Sequence, residues 1–299
     1  MNSSRPKWIL LLLGACLGLA LAACNLSTQP AASPTPVFSL TPSLTPTVTP
    51  PPYALTVNGQ GITVSEFEAA VARYQQAQQG LGQTVDHATA VQVVEQDLVD
   101  TLLLGQGAAA AGQAIDDAAV QARLDALATE VGGPEALGAW ESAHGYTEAD
   151  FGADLQRQMA AALMRDQIAA SVPATAEQVH VKQILLYNSD EAQKALGYLQ
   201  AGADFNDLAA QYDPVTKGEL GWFPHGYLLD PAVEEAAFAL QPGQYSGVVQ
   251  TQAGFHILYM VERSQDHPLS PDARLALQQR AISDWLAQQK STSTIQFEP

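Results

Sequence analysis

Hydrophobic positions along the chain change rhythm several times, and each rhythm predicts a different kind of segment. Trp8 to Ala23 is apolar almost throughout, a length that suits the core of a leader better than a membrane span. From Tyr53, the run Ala54-Leu55-Thr56-Val57 is β-prone, Asn58-Gly59 is a tight-turn pair, and Ile62 resumes the strand pattern. Ser65 with Glu68 then fits a capping box, and Phe67, Ala70, Val71 and Tyr74 lie on one face of the helix it opens. Further helical stripes run through Val91, Val94, Leu98 and Leu102, and, after Asp116, through Val120, Leu124 and Leu127. Gly132-Gly133-Pro134 breaks the pattern before a short helix with Leu137 and Trp140. Thr147 with Asp150 caps a last helix carrying Phe151, Leu155, Met159 and Leu163. Val179 to Tyr187 and Phe255 to Val261 are β-prone runs separated by amphipathic helices, a pattern that predicts a small α+β unit. Ser270-Pro271 starts another helix, with Leu275, Ile282, Trp285 and Leu286 as its stripe, and Thr294 to Phe297 ends strand-like.

Charge narrows the partners. The net charge is -18, and removing Arg5 and Lys7 with a leader leaves 11 basic against 31 acidic side chains. Such a surface repels phosphate backbones, which argues against nucleic acid, and attracts basic segments of other polypeptides. The two cysteines, Cys16 and Cys24, both lie near the start, so the body holds no disulfide framework. The six histidines are scattered without HxxxH or HExxH spacing, so neither a metal nor any other cofactor is expected.

Arg5 and Lys7, the apolar run, and Leu21-Ala22-Ala23-Cys24 together resemble a bacterial lipoprotein leader. The resemblance implies that residues 1–23 are removed and that Cys24 carries a lipid in the bilayer. An ordinary secretory peptide cleaved after Ala22 or Ala23, or an uncleaved anchor, are the alternatives. Residues 24–52 are rich in Pro, Thr and Ser, without charge, a composition that makes an extended tether at roughly 3 Å per residue.

The segment VNGQGITVSEFEAAVARY resembles the opening of the SurA/PrsA-type chaperone domain. From 179 onward, VHVKQILL, AGADFNDLAAQY, GELGWF, VEEAAFALQPGQYSGVVQT and GFHILYMVE stand in the order of a parvulin, or PpiC-type, isomerase domain. The resemblance implies an α+β protein. It implies a mostly helical chaperone domain formed by residues 53–172 and 267–299, with a parvulin-type domain at 173–266 inserted between them. Its expected partners are unfolded or nascent exported polypeptides, met outside the cytoplasm at the membrane surface.

The same resemblance assigns site residues. His256 takes the place of a family histidine, with Thr251 beside it, and Asp213 takes the acidic position. Gln183 stands where the family has its other histidine; His180, three residues earlier, falls on the opposite strand face. Leu220, either Leu228 or Leu229, and Val233 take the positions that line a proline pocket, with Val233 in place of the usual phenylalanine. Phe238 matches a core phenylalanine. Tyr187 and Trp222 read as core, and His225 as a solvent-facing loop residue. The implied function is cis–trans isomerisation of X–Pro bonds, with activity reduced by Gln183 and Val233. The alternative is a chaperone that binds peptide without catalysis. A solute-binding lipoprotein would need repeated strand–helix units, which are missing.

Overall fold

The computed structural model describes residues 52–298. The expected leader, Cys24 and the tether up to residue 51 lie outside them. The described chain is α+β, with a helical bundle capped by one small sheet and a second sheet packed between helices.

Strands β1 (Tyr53–Val57) and β2 (Gln60–Thr63) form a hairpin whose turn places Asn58 and Gly59 at φ of 53° and 84°. Helix α1 (Val64–Gly80) follows at once. Its capping box is formed by Thr63 and Glu66, two residues before the expected Ser65 and Glu68. Both pairs fit the motif, but Thr63 ends β2 in an extended conformation, so the helix starts there and Ser65 falls inside it.

Helices α3 (Asp117–Val131) and α5 (Glu148–Ser171) begin where Asp116 and Thr147 predict, while α2 (His87–Ala110) is capped by Asp86 and α4 (Pro134–Ala143) starts on Pro134 without a side-chain cap. Leu98 and Leu102 of α2 pack with Leu55, Val57 and Ile62 of the hairpin and with Val71 of α1. In α5 the expected stripe does not hold: Ala161, Met164 and Ile168 are buried, whereas Leu163 is exposed. Steps of four residues advance 400°, so a stripe of that spacing drifts about 120° round the helix between Phe151 and Leu163.

The chain then builds the second sheet, in the order β4-β3-β6-β5, with every pair antiparallel. Its elements are β3 (Thr175–Leu186), α6 (Ser189–Gln200), α7 (Phe205–Tyr212), β4 (Glu219–Pro224), α8 (Pro231–Ala239), β5 (Val249–Gln250) and β6 (Phe255–Pro268). Ile184, Leu186 and Ile257 face α6 and α7, while Val179, Val181, Leu258 and Met260 face α8. The unit begins and ends at one place, since Thr175 pairs with Pro268 and the Leu269 N–H donates to the Ala174 carbonyl at 2.9 Å.

Helix α9 (Pro271–Thr292) returns to the bundle, where Ile282, Trp285 and Leu286 pack against Met164 and Ile168 of α5 and Leu104 of α2. Leu275, expected in that stripe, is 54% exposed; Ala273 is the buried residue at this end. Gly107 makes room for Trp285, because a Cβ there would sit 2.7 Å from the indole. Strand β7 (Ile295–Phe297) completes the first sheet in the order β2-β1-β7, and the Asn58 side chain accepts from the Thr294 N–H at 2.9 Å.

Candidate active site

The second sheet brings Gln183 and His256 onto its α8 face, because Gln183 pairs with Leu258 and Leu185 with His256. His256 is 6% exposed, and both of its ring nitrogens are occupied. Nδ1 lies 2.9 Å from Gln183 Oε1, and Nε2 lies 2.9 Å from Thr251 Oγ1. The amide oxygen can only accept, so Nδ1 carries the proton and Nε2 of the neutral ring accepts from the threonine hydroxyl. Thr251 is itself held by the Ala253 N–H, which donates to Oγ1 at 3.0 Å. Gly254 makes this turn possible, since a Cβ there would meet the Leu186 carbonyl oxygen at 2.5 Å.

Burial holds the His256 pKa below its ordinary 6.5, opposed by the negative charge of Asp230. Asp230 had no place among the expected site residues. It caps α8 by accepting from the Ala232 N–H, and the order Asp-Pro at a helix start was the available signal.

Beside this polar trio lies the apolar cluster of Leu258, Phe223, Val233 and Met260, against which Leu220 and Leu228 pack. Of the two leucines left open by the sequence, only Leu228 joins the cluster; Leu229 is fully exposed. Glu234 decides between them. Its carboxylate accepts from the N–H groups of Gly226, Tyr227 and Leu228 at 2.7, 3.1 and 3.2 Å, which turns Leu228 inward. Nothing in the local pattern announced that role. Val233 is 5% exposed and sits among core side chains.

Asp213 is not joined to the trio. It ends α7, where its carboxylate accepts from the N–H groups of Val215 and Thr216, both at 3.1 Å, and from the Thr216 hydroxyl. Those bonds, the Thr216 hydroxyl foremost, hold its pKa below the usual carboxylate range. His180 points to the other sheet face as expected, paired with Glu219 and stacked on Trp222. Tyr187, read as core, is 82% exposed, because β3 ends one residue before it. His225 is exposed as expected, with its ring against Phe238.

Residues 186–262 match the model of the PPIC-type PPIase domain. A peptidyl-prolyl cis-trans isomerase of Neurospora crassa is 39% identical over 94 residues, 29% of this chain and 71% of that protein. The chain belongs to the PPIC-type peptidyl-prolyl isomerase family. Ahead of that PPIC-type region, residues 37–131 match the model of a SurA-like N-terminal domain. Foldase protein PrsA of Caldanaerobacter subterraneus is 41% identical over 87 residues, 27% of this chain and 28% of that protein. Chaperone SurA of Methylobacillus flagellatus is 30% identical over 148 residues, 42% of this chain. The matches span about a third or less of these two relatives' length, 34% and 28% respectively. Among solved structures, a PrsA of Bacillus cereus aligns at a TM-score of 0.44 and 21% identity, covering 80% of this chain and 86% of that one.

Proposed function

We propose that this chain isomerises X–Pro bonds in extended polypeptides outside the cytoplasm, held to a membrane by a lipid on Cys24. The observation that carries the catalytic part is the His256–Gln183–Thr251 network set against the apolar cluster of Leu220, Leu228 and Val233. An X–Pro bond turns over a barrier of about 20 kcal/mol that arises from C–N double-bond character. A catalyst needs no nucleophile for this. It must seat the proline ring, strip water from the amide, and favour the twisted form by hydrogen bonding. The leucines and Val233 supply the apolar seat. Gln183 uses its oxygen on His256, and its amide N–H groups, without a partner among the described residues, are free to donate to the twisting amide. A neutral His256 keeps the floor uncharged.

The test is acceleration of cis–trans exchange in a short X–Pro peptide by the full chain, beside His256→Ala. Acceleration that falls at least tenfold in the variant is the expected result. No acceleration by a folded native chain would leave the second reading, a peptide-binding chaperone without catalysis. That reading is favoured by Gln183 and Val233 standing where the family has histidine and phenylalanine. The anchor rests on the leader pattern ending at Cys24. Cys24→Ser should move the chain from the membrane to the soluble fraction, and unchanged membrane retention would argue for an uncleaved span.

A further inference from the structure

The loop that joins β4 to α8, residues 225–230, carries Leu228 and Asp230. Leu228 packs on the apolar cluster, and the charge of Asp230 opposes the effect of burial on His256. A short loop with no strand or helix of its own keeps such side chains aimed only where its backbone is held from elsewhere. One hold comes from α8. The Glu234 carboxylate, 13% exposed, takes the N–H groups of Gly226, Tyr227 and Leu228.

The other hold comes from the helical bundle. Arg280 stands in α9, and the residues two places to either side fix its direction. The Gln278 side-chain amide donates to the Ala169 carbonyl of α5 at 3.2 Å, and Ile282 packs against Met164 and Ile168 of the same helix. Residues two apart stand about 200° apart round a helix, so Arg280 faces away from the bundle. It reaches Gly226 instead. A Cβ on Gly226 would lie 2.6 Å from Arg280 Nη1, 3.0 Å from Cδ and 3.1 Å from Cζ, so the guanidinium and the end of its stem rest on that backbone. Gly226 has a φ of 82°, a conformation that side chains rarely adopt, and the arginine fills the space a side chain would need. Asp284, one turn on, lies 3.7 Å from Arg280 Nε and helps to orient it.

The chain already passes between bundle and four-stranded unit at Ala174 and Leu269. Arg280 adds a contact at a chosen place, the loop that turns Leu228 inward. We propose that Arg280 is a positioning residue for the proline seat. Lent by the bundle, it clamps the backbone at Gly226 while Glu234 holds the same loop from α8, and the two keep Leu228 in the cluster. A guanidinium suits the task, because it is planar, lies flat on a peptide unit and stays charged at every working pH. What the seat does rests on the isomerase reading above; what holds it rests on the geometry alone. The seat is then complete only with α9 in place, and the bundle sets how tightly the four-stranded unit grips proline.

The test uses the full chain, native or with Arg280→Ala or Arg280→Lys. It reads amide hydrogen exchange, the affinity for a labelled X–Pro peptide by fluorescence anisotropy, and KM against kcat for isomerisation of that peptide. Arg280→Ala should speed exchange of the Gly226, Tyr227 and Leu228 amides at least about fivefold, and leave the Leu258 amide, bonded to Ser246 Oγ, unchanged. The peptide should bind about threefold more weakly, with KM rising in step and kcat held, as when ground state and transition state lose the same contact. The melting temperature should stay within about 2 °C, because the Arg280 side chain is 59% exposed. Arg280→Lys keeps the stem and the charge and should recover most of both losses. Unchanged exchange and affinity in Arg280→Ala would overturn the proposal, as would a lower kcat with unchanged affinity, or Arg280→Lys behaving no better than Arg280→Ala. The isomerase reading fails separately. A native chain that binds the peptide through an Arg280-dependent seat, yet turns none of it over, keeps the clamp and loses the catalysis.

Discussion

At residue scale the chemistry turns on how Gln183 and His256 divide their hydrogen bonds. A second histidine at 183 would bring a second titration; the amide offers an acceptor to Nδ1 and a donor to the substrate side at every pH. The buried ring sets the pH dependence. Its folded pKa is below 6.5, so between the two values the unfolded chain binds more protons. Stability therefore falls as pH drops below 6.5 toward the folded value, and the proposed isomerisation, with a neutral ring in its floor, should hold through 6.5 and decline only below it. Asp230→Asn removes the one charge that opposes this shift, so the acid limb of the rate profile should move to lower pH. NMR titration of the His256 ring checks both, and a limb that moves upward in the variant would refute the role given to Asp230. The pairing of Thr251 with His256 was legible in the sequence because β6 and its preceding turn carry both in a short, ordered motif, whereas Gln183 reaches them from β3 through strand pairing. Asp213 shares no hydrogen bond with these three because its loop is closed by its own Asp–Thr bonds, which a linear pattern does not display. Leu229 stayed open as an alternative because the register of its loop is set by a carboxylate one helix turn further on.

At the scale of elements, α8 shows why a family pattern does not transfer one residue at a time. The sequence suggests that Val233→Phe would rebuild the usual pocket. In the structure Val233 is packed beside Phe223, Leu258 and Met260, so the larger ring must displace them. The substitution should cost about 1–3 kcal/mol by thermal denaturation, with no gain in rate. Equal stability with a faster rate would mean that the cluster yields toward the pocket. The same element-level view explains the shifted cap on α1 and the drifting stripe on α5. Helix existence was legible from caps and periodicity, whereas the choice between Thr63 and Ser65, or between Leu163 and Met164, depends on what lies against the helix.

On the scale of the whole molecule, the last helix and strand belong to the first sheet and its bundle. Their stripe was readable, but their partner was set by contacts far apart in sequence: Ile295 pairs with Val57, and Trp285 lies over Gly107. Gly107→Ala would push the indole out of that seat. It should destabilise the bundle by about 1–3 kcal/mol and shift the Trp285 emission to the red; an unchanged spectrum and melting point would show that α9 yields freely. The paired ends of the second sheet carry a different consequence. Ala174 and Leu269 already face each other as neighbouring residues do across a tight turn, so the ninety-odd residues between them form a detachable loop in the topological sense. A single genetic event could add or delete that loop without disturbing the path of the chain on either side. Lineages could thus lose the four-stranded unit and keep the bundle, or exchange that unit for another, with a short turn as the only scar.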